Sequence, residues 1–205
     1  MVVLIVAALG CSKEKPLYWE FTFEEGPQGW RGDYADLPVN YDESIYELNT
    51  GIRELPAELG QSKTALMIEG HNRSDDLFMY IKRQFTAKDG IKPNAEYLIS
   101  VTVEFATNAP KGAVGIGGPP GESVFFKAGA SSIEPAAVVA DAGTPNAYYR
   151  MNVDKGAQNN DGADAVLMGD AAKTDGSEDF NYALKTLNNT DQKLSVKSDE
   201  QGSLW

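Results

Sequence analysis

EYLISVTVEF, residues 96–105, decides the fold class. Tyr97, Ile99, Val101, Val103 and Phe105 alternate with Glu96, Ser100, Thr102 and Glu104. Side chains on a strand point to opposite faces in turn, so this period of two predicts a sheet with one buried face. Upstream, Trp19, Phe21 and Phe23 alternate with Glu20, Thr22 and Glu24, which predicts a first strand over 18–24. Residues 65–69 and 76–85 read as further strands, the second rich in aromatic and branched side chains. Weaker strand patterns recur at 124–127, 138–140, 147–153, 165–168, 182–184 and 194–197, and a short one at 45–48. Between them lie polar or Gly/Pro-rich stretches: 31–44 as a polar loop, 51–63 as loop with about one helical turn, and 154–164 as a long loop. No internal repeat and no sustained helical period appears. The expectation is an all-β chain folded as an antiparallel β-sandwich with short strands and long loops.

The composition agrees. A chain of 205 residues with 42% hydrophobic residues can bury one substantial core, and Gly 20 with Pro 10 supplies many turns. Net charge is −12, so the surface repels phosphate backbones and no nucleic-acid partner is expected. One cysteine and one histidine exclude an intrachain disulfide, a Cys-rich zinc site and a His cluster within one chain. A Ser-His-Asp or Cys-His arrangement would have to run through His71 alone.

The N-terminus reads as an address. Val2 to Leu9 is a run of eight apolar residues followed by Gly10 and Cys11. As a helix it would rise only about 12 Å, against a hydrocarbon core of about 30 Å, so it cannot span a membrane. Its length is that of a signal-peptide apolar region. Ala8-Leu9-Gly10-Cys11 resembles the lipobox of bacterial lipoproteins, although Met1 is followed directly by Val2, without the usual Lys or Arg. The resemblance implies a signal peptide over 1–10, a cut before Cys11, and lipidation of Cys11 on its thiol and new amine. Residues 11–17 would then be the tether, and 18–205 a single domain on the outer side of a bacterial envelope membrane. Ser12 after the cysteine resembles the outer-membrane sorting pattern of Gram-negative bacteria. Several acyl chains, each stabilising by about 0.8 kcal/mol per buried CH₂, make a stable anchor. The alternative is a buried N-terminal strand carrying a core cysteine.

FTFEEGPQGW, residues 21–30, is similar to the first strand of jelly-roll carbohydrate-binding modules and galactose-binding-like domains. IKPNAEYLISVTVEF, residues 91–105, resembles a later strand of the same modules. The similarity runs over about 18–106 and implies a jelly-roll sandwich, a fold that hosts many functions. It also resembles an uncharacterised group of secreted lipoproteins. Such modules often hold a structural Ca²⁺ between first-strand acids and an Asp on the last strand. Glu24 and Glu25 match the first half of that site, and the second half would lie beyond Trp205. Ser203-Leu204-Trp205 reads as the beginning of a further strand, so the sandwich is expected to lack its last strand here. No other cofactor is required.

Sugar recognition needs an aromatic platform and planar polar groups for hydroxyls. Trp30, Tyr34 and Tyr41 fall close to Arg31, Asp33 and Asp36, while Arg73, Asp75 and Asp76 share a second polar loop with His71 and Asn72. Trp30 reads equally as a core plug, and the second loop as a charged turn. GIGGPPGESV lacks the Lys-Ser/Thr of a phosphate loop, and NNDGAD (159–164) fails the calcium-loop pattern after Gly162. Three functions are therefore expected in order: a glycan-binding envelope lipoprotein, a structural envelope lipoprotein without a small-molecule site, and a polysaccharide hydrolase or lyase. Nothing among the 30 acidic residues singles out the carboxylate pair that the last would need.

Overall fold

The structure, a computed structural model, describes residues 2–8, 16–73, 76–115 and 118–205, with side chains from residue 16 onward. Cys11, named for lipidation, and Asp75, named for ligand binding, lie outside the described residues. The fourteen strands are β1 (Val2–Ala8), β2 (Leu17–Phe21), β3 (Arg31–Ala35), β4 (Leu37–Pro38), β5 (Asn49–Glu54), β6 (Thr64–Glu69) and β7 (Phe78–Lys82), followed by β8 (Glu96–Thr107), β9 (Phe125–Gly129), β10 (Ala137–Ala140), β11 (Tyr148–Met151), β12 (Ala165–Asp170), β13 (Ala183–Asn188) and β14 (Leu194–Lys197). One short helix, α1 (Glu43–Tyr46), and two single 3₁₀ turns complete the described residues. Every strand pair is antiparallel, and the fold is an all-β sandwich.

β8 organises the main sheet. One of its edges pairs with β13 over Thr102–Thr107 and with β14 over Glu96–Ile99. Asn189 fills the break between those two strands: its Oδ1 accepts from Val101 N–H at 2.6 Å, and its Nδ2 donates to Ile99 C=O at 3.3 Å. A side-chain amide thus stands in for a missing backbone rung. The other edge of β8 pairs with β1, and β1 pairs in turn with β2.

The alternation of β8 is realised unevenly. Tyr97 and Ile99 are buried on the core face, where they meet Phe21, Phe23, Phe85, Ile91 and Leu194. The facing layer brings Ala128 of β9, Val166 of β12 and Leu204 into the same cluster. The opposite face of β8 is not fully wet, since Ser100 is buried there with no hydrogen-bond partner on its hydroxyl.

Several expectations need correction. Residues 31–35 and 37–38 form β3 and β4 rather than a loop, and 45–48 is the end of α1 with the two residues after it rather than a strand. Asp42 caps that helix by accepting from Ser44 N–H at 2.9 Å, and Glu47 closes it in a left-handed conformation. β5 takes up the start of the stretch read as loop over 51–63. At the other end, Leu204 pairs with Phe85, and Trp205 exchanges backbone bonds with Ser131.

Candidate functional site

β3 and β4 are one strand interrupted at Asp36, which takes a left-handed φ of 57°. The kink lets the first half pair with β7 and the second with β11. It also turns the Asp36 carboxylate, 5% exposed, toward the loop that follows β11. There Lys155 Nζ lies 2.9 Å from Asp36 Oδ2, and Arg150 Nη1 lies 3.4 Å from Oδ1. The Arg150 guanidinium stacks over Tyr148 at 4.5 Å, and Lys155 Nζ sits 4.8 Å above Phe78. Asp36, Arg150 and Lys155 line an open cavity of about 210 Å³, together with Met151, Val153, Asp154 and Gly156.

One wall of the cavity is the 154–164 loop. Its carboxylates face inward onto its own backbone: Asp154 accepts from Gly156 and Ala163, and Asp164 accepts from Asp154 N–H. The ammonium of Lys127 on β9 closes the loop by donating to the carbonyls of Lys155 at 2.6 Å and Asn160 at 2.7 Å. Burial, and then the neighbouring Lys155, push the Lys127 amine below its ordinary value. The N–H donors of Ala163 and Gly156 hold Asp154 below the usual carboxylate range. The loop is therefore a built element, where the sequence was read as a solvated one.

Next to the cavity runs a second polar strip along β3 and β7. Glu134 joins Arg31 and Lys82, Tyr80 donates to Asp33 at 3.1 Å, and Phe78 stacks on Tyr80. Hydrogen bonding from Lys82 leads the causes that lower the Glu134 carboxyl, while burial and then Asp33 raise the Tyr80 phenol. Arg31 also lies 5.1 Å over the ring of Trp205.

The residues singled out from sequence have separate settings. Trp30 packs edge-on against Phe21 at 5.5 Å and Phe85 at 6.4 Å, and its indole N–H is buried without a partner. It is placed as a core plug. Tyr34 is half-buried, its hydroxyl without a bond partner, and burial followed by Glu69 raises its phenol. Arg73 donates from Nε to the carbonyl of Ile45 at 3.3 Å, and Asp76 is exposed on the same loop. Asp36 alone of the first polar cluster lines the cavity. Arg150, Asp154 and Lys155 were missed: Arg150 falls inside the weak strand pattern at 147–153, and Asp154 and Lys155 directly follow it.

Glu24 and Glu25 are exposed on the turn after β2. Among the described residues no group of three or more His, Cys, Asp or Glu side chains could hold a metal ion. Two carboxylates fall short of the six to eight oxygens that calcium takes, so these residues do not fit a calcium site by themselves. Among the described residues no helix is long and apolar enough to cross a membrane. Compared with family models, with curated proteins and with solved structures, the chain matches none.

Proposed function

We propose that this chain is a glycan-binding lipoprotein of the bacterial envelope, anchored through Cys11, with the Asp36–Arg150–Lys155 cavity as its saccharide site. The observation that carries the reading is the pairing, in one open cavity, of a fixed carboxylate acceptor with two cationic donors. Vicinal hydroxyls donate to the first and accept from the second, and Arg150, about half exposed, still presents N–H groups outward. Met151 and Val153 add apolar wall for the C–H face of a ring. An open cavity of this size fits a chain end or one face of a saccharide better than an enclosed cofactor.

The geometry favours binding over hydrolysis. Asp36 is paired with Lys155 and Arg150, and backbone N–H donors hold the other carboxyl of the cavity, Asp154, below the usual carboxylate range. A glycosidase acid needs the reverse, a carboxyl with a raised pKa. The deciding experiment is a glycan array probed with the full chain carrying Cys11→Ser, beside the same chain carrying Arg150→Ala. Binding that Arg150→Ala abolishes is the expected result, and silence across the array sinks the saccharide reading. The anchor is tested apart from it: labelled palmitate is expected to enter the wild-type chain and to be absent after Cys11→Ser.

A further inference from the structure

β1 lies near the start of the chain and yet inside the main sheet. Val2, Leu4 and Val6 pair with Phe21, Trp19 and Leu17 on one side, and with Val103, Val101 and Ile99 on the other. Directly paired residues of antiparallel strands share a face. Register positions 2, 4, 6 and 8 therefore fall on the face that Phe21, Ile99 and Tyr97 bury. The same seven residues belong to the apolar run read as a signal peptide. A cut before Cys11 takes them away, and β2 and β8 then lose the neighbour they share. What remains is two facing strand edges with unpaired N–H and C=O groups above an apolar floor.

We infer that the gap between β2 and β8 is a strand-acceptor groove. Val2–Ala8 fills it as a removable placeholder, and after the cut it holds an extended apolar strand of a partner protein, antiparallel to both neighbours. The inference rests on the anchor reading for the removal of the placeholder. Its occupant follows from the groove's own chemistry. Only a peptide backbone can satisfy two strand edges at once, so neither a saccharide nor a lipid can fill it. The floor asks for aliphatic side chains at alternate positions, as the sequence VVLIVAA supplies. A second mature copy cannot donate this segment, because the same cut has removed its own.

The test uses the full chain with Cys11→Ser and a site-specific protease sequence inserted between Ser12 and Lys13. After cleavage by the added protease, a fluorescein-labelled VVLIVAA peptide with a Lys-Lys tail is offered in excess. The expected result is release of the cut segment and co-elution of the labelled peptide with the folded domain. The same peptide carrying Leu4→Asp is expected to bind about tenfold more weakly or worse, since register position 4, opposite Trp19 and Val101, shares the face on which Phe21 and Ile99 are buried. A cut segment that never exchanges overturns the inference, as does a domain that loses it and unfolds despite excess peptide. Dimers that form without peptide overturn the partner assignment in favour of a second copy. Palmitate labelling reports on the anchor and peptide uptake on the groove, so the two readings fail separately.

Discussion

Asp36 and Lys155 meet across the kink between β3 and β4, with Lys155 Nζ 2.9 Å from a carboxylate that is almost fully buried. Removing one partner of a buried pair leaves the other uncompensated, which typically costs about 3 kcal/mol or more. Asp36→Ala is expected to lose about that much in urea unfolding and to abolish saccharide binding. Asp36→Asn keeps a side chain that tolerates the left-handed φ of 57°. It should unfold later than the alanine variant and still bind poorly. Equal midpoints for the wild type and Asp36→Asn would show that the charge pair carries nothing.

Trp30 and Tyr148 separate core from site. Trp30 packs against Phe21 and Phe85, whereas Tyr148 backs the Arg150 guanidinium beside the cavity. Trp30→Ala is expected to cost about 3–5 kcal/mol, with saccharide affinity unchanged in the fraction that stays folded. Tyr148→Ala should do the opposite, lowering affinity by about 2- to 30-fold if the lost stacking is worth roughly 0.5–2 kcal/mol. Calorimetric titration beside thermal unfolding reads both quantities, and a Trp30→Ala protein that is fully stable would return Trp30 to the list of ligand contacts.

How much of this was legible in the sequence depended on what holds each segment in place. β8 announces itself because one face carries apolar side chains at every second position, buried at Tyr97 and Ile99 and part-buried at Val101, Val103 and Phe105. β3 was hidden because its outward residues, Arg31 and Asp33, are charged and its inward ones are Gly32 and Tyr34. Pairing with β7 makes it a strand, and that long-range contact leaves no local pattern. The cavity was hidden for a similar reason. Asp36 and Lys155 stand more than a hundred residues apart, and Lys127 meets the loop it closes only through the β9–β12 pairing. Trp30 was legible as aromatic and ambiguous in role, since a core plug and a sugar platform share a residue type.

Acid should loosen the 154–164 loop in a way that one substitution isolates. Asp154 and Asp161 accept from backbone N–H groups, which hold both carboxyls below their ordinary range. With the folded pKa depressed, the unfolded chain binds more protons through the window between the two values. The stabilisation is therefore fully present above the unfolded value of about 3.9 and is lost as pH falls through the folded one. Urea midpoints measured for the wild type and for Asp154→Asn should differ most above about pH 5 and converge as the pH falls toward 2. A gap that stays constant with pH would assign the effect of Asp154→Asn to shape rather than charge.

Lys127 acts as the clasp of that loop through the carbonyls of Lys155 and Asn160. Lys127→Met keeps the length and apolar stem of the side chain and removes the donors. It should cost about 1 kcal/mol, since the Lys155 carbonyl is part-buried while that of Asn160 is exposed and can turn to water. Limited proteolysis is expected to move to 154–164 in this variant. Cleavage at the wild-type sites and rate would mean that the loop closes without its clasp.

Gly162 is where the loop crosses itself. A methyl group there would lie 2.2 Å from Gly156 N and 2.3 Å from Asp154 C=O, both backbone atoms that cannot swing aside. Gly156 is equally confined, since a Cβ on it would meet Asn160 C=O at 2.2 Å, and it already holds a left-handed φ of 66°. Gly162→Ala must therefore push the 154–156 turn outward, at a cost of about 1–3 kcal/mol. Asp154, Lys155 and Gly156 line the cavity, so the displacement carries Lys155 away from Asp36 and should weaken saccharide binding without touching a ligand contact. A matched change at Gly176, where a Cβ meets nothing within 4 Å, isolates this crowding from a general loss of glycine, although its φ of 74° adds some backbone strain. If Gly162→Ala and Gly176→Ala lower stability equally and leave affinity alone, the crossing does not position Lys155.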